Sequence, residues 1–410
     1  MPNDSRPEPE PEVSRWLLRR DPQFARLWAA KAISHIGDGA ALVALVLHVQ
    51  ESQRTGVTVS ALLLANTLPT LLGPLAGAVA DRVDQRRLMI GAAVGQALVY
   101  GAMGAAPRPF PALLALVATA SILATLFAPA ARSAVPTLIS SRDLVRANAW
   151  MGIALTFQGA IGPVVGGLLI AVAGIRGALW GNALSFAVSA ALLRTLPPLP
   201  PEAAEEDGVG LVKGTGEGLR YALRHPVARV LVIGLGFGVL FAAVDDVALV
   251  FLAREDLSAG ALGYGILASV YGVGFALGSF ALMLTHAGRA VGVFTLGLLL
   301  TGAGGLATGL APAVGLAALA QAVAGSGNGL EVVATDTLVQ GSVPRSHRGR
   351  VFGVVSAATL LGGAVARGLG GVLLDLTSAR TTFMVGGCGV LVVTVITVVL
   401  FRGAAPIMDE

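Results

Sequence analysis

Lys31, His35 and Asp38 stand at i, i+4 and i+7 in an otherwise apolar stretch. In a helix that spacing places an amine, an imidazole and a carboxylate on one face. A carboxylate withdrawn from water is a site for proton exchange, or for holding a cationic group in the proton's place. Asp38, flanked by Gly37 and Gly39, is the strongest candidate of this kind. The plainer alternative is an ion pair with Lys31 or with an arginine from another segment. Asn328 and Glu331 form a similar i, i+3 pair, and the adjacent Asp245 and Asp246 must point in different directions. One of those two could face inward while the other caps or pairs locally. Arg367 could keep one of these carboxylates ionised. The chain has no metal-spaced His/Cys cluster, no phosphate-binding glycine loop with a lysine and no nucleophile elbow, so no catalytic residue, enzyme activity, metal or cofactor is expected.

The elements that hold these residues follow from composition. Of 410 residues, 55% are hydrophobic and only 13% are charged, against roughly 25% in soluble domains. So little charge cannot cover a soluble surface, and lipid must be the solvent. A helix crosses a bilayer with about 20 apolar residues. Runs near that length fall at 27–49, 57–80, 88–105, 110–131, 149–173, 178–195, 230–252, 264–284, 290–310, 313–338, 351–375 and 381–401. The expected fold is an all-α membrane protein of twelve transmembrane helices. With the N-terminus inside, only Arg54, Arg108, Arg176, Arg254 and Arg380 of the 28 basic residues fall in outer loops. That bias puts both termini in the cytoplasm and accounts for the net charge of +4 without nucleic acid. The polar tail lacks the apolar core of a signal peptide, and the single Cys388 excludes an intrachain disulfide.

The longest inner connection divides the runs six and six. The expected organisation is a cytoplasmic tail (1–26), a six-helix bundle (27–196), a linker (197–229), a second six-helix bundle (230–402) and a short tail (403–410). The linker segment Gly216 to Pro226 reads as an amphipathic helix on the membrane face. Val43–Leu47 recurs as Val247–Phe251, Gly166–Ile170 as Gly370–Leu374, and Arg176 as Arg380, all at one offset of 204 residues. A constant offset argues for parallel repeats. Charge follows the same order. The third, sixth, ninth and twelfth runs have uncharged cores, whereas the first, fourth, seventh and tenth carry Asp38, Arg132, Asp245, Asp246, Glu331 and Asp336. Charge in hydrocarbon costs about 2.5–3.5 kcal/mol per residue even on the lenient scale, so this set should line a polar path between the bundles.

The stretch from Gly73 to Ile90 interrupts two apolar runs with charge. Its Gly77, Asp81, Arg82, Arg86 and Arg87 resemble the loop signature between helices 2 and 3 of the major facilitator superfamily. Asp84, where that family more often has Gly, is similar to the branch of macrolide-efflux and enterobactin-export proteins, as are Gly37-Asp38, Ala147-Asn148-Ala149 and the segment from Gln340 to Arg350. The resemblance spans nearly the whole chain and implies the major facilitator fold. Physically, Asp81 at the inner end of helix 2 could dock on the positive N-terminus of helix 11, braced by Arg82 or Arg86. The resemblance implies that this latch favours the outward-open state; topology alone is the other reading of the arginines. Gly162, Pro163, Gly166 and Gly167 resemble the antiporter motif of drug exporters, with Gln158 where that motif has glycine, and close helix packing explains the same residues. The expectation is a monomeric, proton-coupled exporter of small amphipathic or hydrophobic molecules in the bacterial inner membrane. Its partners are substrate, protons and lipid. A dedicated exporter of a natural product such as a siderophore is the alternative, and a non-transporting membrane protein a remote one.

Overall fold

The computed structural model describes residues 17–106, 108–200, 219–281 and 290–404. Most of the N-terminal tail, the acidic linker run Glu202–Asp207, Arg289 and the last residues of the C-terminal tail lie outside them. Among the described residues all regular structure is helical. The first helices are α1 (Pro22–Gln53), α2 (Gly56–Ala80), α3 (Gln85–Ala105) and α4 (Phe110–Leu138). Next, α5 runs over Leu144–Ala160 and resumes after a break at Ile161. The following stretch, Gly162–Arg194, contains Gly174 at φ 71° and ψ 177°, a non-helical conformation that is essentially glycine-only.

The chain reverses at Gly174. Gly162 packs on Gly39, while Asn182 donates to Asp38. Adjacent residues of α1 thus meet residues that a straight helix would separate by about 30 Å. Residues 162–173 therefore complete α5, and 175–194 form α6. The second half holds α7 (Pro226–Asp256), α8 (Gly260–Ala281) and α9 (Ala290–Leu310). It ends with α10 (Val314–Ser342), α11 (Arg345–Leu376) and α12 (Ala379–Ala404). Among the described residues ten stretches are long and apolar enough by composition to cross a membrane. Splitting one at Gly174 and adding the more polar α10 gives twelve.

The 204-residue offset reappears in the contacts. Gly166 packs on Ala40, and Gly370 on Val244; Gly167 meets Ala261 at the start of α8, and Gly371 meets Gly56 at the start of α2. Gly37 receives Asn182 and Ser185 from α6, whereas its counterpart Phe241 is received by Gly386 and Gly389 of α12. The duplicated bundles thus keep the contact and exchange which partner is small.

Among the described residues the apolar packing between the two halves lies toward the ends that the basic-residue bias would place outside (the outer ends), and α5 follows α8 as far as Gly159 against Gly272. One apolar cluster joins residues of α1–α6 to Val247–Ala253, Tyr264, Leu374 and Phe383, all from the outer portion of the second half. A second cluster, from Ala222 to Phe401, holds the inner portion of the second half by itself. The inner half of α2 leaves Leu71, Leu75 and Val79 exposed. Of the linker, 219–224 is helical, with Ala222 buried and Arg220 and Arg224 exposed, so the described part is shorter than the Gly216–Pro226 segment expected.

Candidate functional site

Between the halves lies a polar path in two parts. On the first-half side a cavity of about 450 Å³ is lined by Asp38, Asn66, Gln96, Tyr100, Arg132 and Gln158 among others. On the second-half side, spaces of about 260 and 270 Å³ are bordered by Asp245, Asp246, Tyr271 and Arg367. Leu42 and Asn66 line both the first space and the second, so the parts adjoin at mid-membrane.

Asp38 reaches this path because α1 and α5 approach without side chains between them. A Cβ at Gly39 would overlap the Gln158 carbonyl, and one at Gly162 would press on Gly39. The Asp38 carboxylate accepts from Asn182 Nδ2 at 3.3 Å. Lys31, two turns nearer the inner face, makes no ion pair with it; its electrostatic neighbour is Arg132. His35 lies between them against Gln158, with Nδ1 buried and unpartnered. Asp38 therefore has an amide as its hydrogen-bond partner, and the ion pair with Lys31 is not formed.

In α7 the helix breaks after Ala242 and restarts at Asp245. Asp246 pairs with Arg367 Nη2 at 2.8 Å, the two side chains 44% and 23% exposed to the cavity. Asp245 also borders both spaces. Asn328 lines the cavity, but Glu331 does not join it. Glu331 is buried, accepts from Thr301 of α9 at 2.5 Å and fills the space left by Gly297. Three residues along a helix is 300° of turn, enough to put Asn328 and Glu331 against different neighbours at this crowded crossing.

The glycines of α5 divide their work. Gly162 and Gly166 admit α1, while Pro163 and Gly167 meet Gly265 and Ala261 of α8. The Val164 N–H donates to Ser269 Oγ at 2.8 Å. These residues are thus part of the joint between the halves.

At the inner end, Asp81 terminates α2 and is exposed, as are Arg82 and Arg87. Among the described residues the Asp81 side chain has no hydrogen bond or ion pair. Arg86 turns away from it and donates to the Arg194 carbonyl at the end of α6. Asp84 caps α3 by accepting from the Arg87 N–H at 2.8 Å and also holds the Leu199 N–H at 3.1 Å. A Cβ on Gly73 or Gly77 of α2, or on Gly349 or Gly353 of α11, would meet nothing within 4 Å.

The outer end is closed. Gln50 donates to Glu255 at 2.8 Å, and Arg254 pairs with Glu51. At the 204 offset Gln50 corresponds to Arg254 and Glu51 to Glu255, so the contacts are reciprocal, as a two-fold axis requires. Asp375 of α11 accepts from the Gly56 and Val57 N–H groups at 2.5 and 3.1 Å, and Ser60 donates to the Arg367 carbonyl at 2.6 Å. Sequence reading passed over Gln50, Glu51, Glu255, Asp375, Ser60 and Asn182. Asn182 is uncharged and so escaped a search for charge, whereas mapping Gln50-Glu51 onto Arg254-Glu255 would have exposed the reciprocal pairs.

Two duplicated six-helix bundles around a polar cavity, shut at one end and parted at the other, define a secondary membrane transporter. Residues 13–409 match the family described as transmembrane secretion effector, and the chain belongs to that family within the major facilitator superfamily. It is 27% identical over 403 residues to the multidrug efflux pump Tap of Mycolicibacterium fortuitum, covering 94% of this chain and 97% of that protein. To the enterobactin exporter EntS of Shigella boydii serotype 18 it is 25% identical over 409 residues, covering 93% and 92%. A crystal structure of a bacterial homologue of the iron transporter ferroportin in an inward-facing state shares the fold at TM-score 0.73 and 16% identity, over 94% of this chain and 99% of that one.

Proposed function

We propose that the protein exports small amphipathic or hydrophobic molecules across the bacterial inner membrane, with both termini cytoplasmic, and that proton entry drives the cycle. The observation that carries this reading is the contrast between two mid-membrane carboxylates. Asp246 has Arg367 as a fixed counter-ion, so its charge is already spent. Asp38 faces the 450 Å³ cavity with the Asn182 amide as its hydrogen-bond partner and, among the described residues, no ion pair. A carboxylate in that setting is free to alternate between a proton and a cationic group. The cavity's mixture of apolar wall with amides, a phenol and a few charges suits amphipathic solutes better than strongly hydrated ones. The likeness to Tap and EntS supports outward transport of such molecules.

Glycines 73, 77, 349 and 353 face open space in this inward-open state. In the opposite state α2 and α11 close on one another there, and Asp81 docks on the α11 N-terminus. One monomer contains the whole device, with the 197–229 linker joining its halves.

The test is drug accumulation in efflux-deficient cells, with and without collapse of the proton gradient. Expression is expected to lower accumulation of amphipathic cations and neutral compounds, and gradient collapse to abolish the effect. Export that persists after collapse would remove proton coupling. No export from the panel, but export of a siderophore, would favour the dedicated natural-product exporter to which the EntS likeness also points.

A further inference from the structure

We infer that Asp375 is a state-determining residue, the outer counterpart of Asp81, and that transport exchanges one carboxylate cap for the other. The inference deepens the alternating-access reading and rests on it. Helices α2 and α11 run antiparallel, so each places its C-terminal end beside the N-terminus of the other. The first N–H groups of a helix lack intrahelical partners and carry about half a positive charge.

At the start of α2 those donors are filled. Asp375 accepts from Gly56 and Val57, and Thr55 Oγ1 accepts from Thr58 at 3.4 Å. The carboxylate that completes this cap comes from the other half of the molecule. Gly371, one turn earlier on α11, lets the helices approach, since a Cβ there would overlap Ser60 and Gly56.

At the start of α11 the opposite holds. No side chain caps it among the described residues, its first turn has no acidic residue, and Asp81 stands exposed at the end of α2. Opening the outside therefore strips α2 of Asp375, and closing the inside offers α11 the free Asp81. One charge-assisted cap is lost as one is gained. The two end states stay close in free energy, as a cycling carrier needs, and neither carboxylate has to meet a basic side chain to act.

The experiment reads conformation in the full chain with Cys388→Ser. Ala128→Cys reports the inner side, because Ala128 lines the cavity and is exposed. Leu63→Cys reports the outer side, because Leu63 lines the inter-half space and is 8% exposed. A membrane-impermeant maleimide is applied to inside-out and right-side-out vesicles. Asp375→Ala is expected to lower labelling at 128 and raise it at 63. The ratio should shift about tenfold, the effect of losing hydrogen bonds to one charged group. Asp81→Ala should shift it the other way, and the double variant should return toward the parent.

Val57→Pro removes one N–H donor at a position where helices accept proline. It should move the ratio as Asp375→Ala does, and it decides the matter should that variant fail to reach the membrane. Unchanged ratios, or a shift in the same direction as Asp81→Ala, would overturn the inference. Because labelling does not depend on what is carried, lost drug export with these shifts intact would count against the export reading alone.

Discussion

Asp38 and Asp246 show how one residue type takes different work from its neighbours. Asp38→Asn keeps the shape and can still meet Asn182, but it cannot cycle a charge. Gradient-driven export is expected to vanish while substrate binding to purified protein stays within a few-fold of the parent. Loss of cationic substrates with neutral ones spared would make Asp38 a binding anchor instead. Because Lys31 makes no ion pair with Asp38, Lys31→Met should not rescue Asp38→Asn; rescue would mean a pair formed elsewhere in the cycle. For the second half, Arg367→Gln strands Asp246 beside Asp245 without its counter-ion. The pair is partly open to the cavity, so the cost should be about 1–2 kcal/mol rather than the 3–5 of a fully buried pair. Adding Asp246→Asn should recover most of it, which a thermal-shift double-mutant cycle in detergent would measure. Additive losses would mean that the 2.8 Å contact contributes nothing.

Among elements, the inner half of α2 leaves Gly73, Gly77, Leu71, Leu75 and Val79 uncovered in this state. Gly77→Val adds a branched side chain into open space here, so expression should match the parent, and inner labelling should rise if the closed inner face can no longer form. Transport should fall at least tenfold if α11 closes on that face, and unchanged transport would show that it does not. Gly174 makes the contrary case, since its φ of 71° matters in every state. Gly174→Val should cost about 1–3 kcal/mol and lower the yield of folded protein. Both glycines are plain in the sequence, yet only one could be interpreted there. The twelve helices and the 204 offset were legible because hydropathy and repetition are local signals. The α5 glycines could be read as packing, but whether they packed within one bundle or between two required the crossing geometry. Glu331 was assigned with Asn328 by spacing, and only the nearness of Thr301 and Gly297 turns it toward α9. Asp375 carried no signal at all until the α2 N-terminus was found beside it.

For the molecule as a whole, the reciprocal contacts at the outer end turn the internal duplication into a gate. Gln50 reaches Glu255 and Glu51 reaches Arg254 because the two halves present the same helix end to each other across their axis. The partly exposed Arg254–Glu51 pair contributes about 0.2–1 kcal/mol, and the part-buried Gln50–Glu255 hydrogen bond about 1.5–3 kcal/mol. Together with the Asp375 cap they make an outer seal of only a few kcal/mol, weak enough for substrate or proton binding to reverse. The pairing also makes the seal separable from the chemistry of the cavity. Glu51→Arg sets two arginines face to face, and Arg254→Glu sets two glutamates. Either change alone should raise outer labelling at Leu63→Cys, in the Cys388→Ser chain, by a few-fold. The exchanged double variant, Glu51→Arg with Arg254→Glu, restores opposite charges across the same axis and should bring labelling back near the parent. High salt should shrink both single-variant differences, because these charges are partly solvent-exposed. If the double variant stays as open as the singles, the contact is a consequence of closure and the apolar packing of Val247 to Ala253 against the first half holds the outer end shut. If it returns, the duplicated bundles close outside by matched charges.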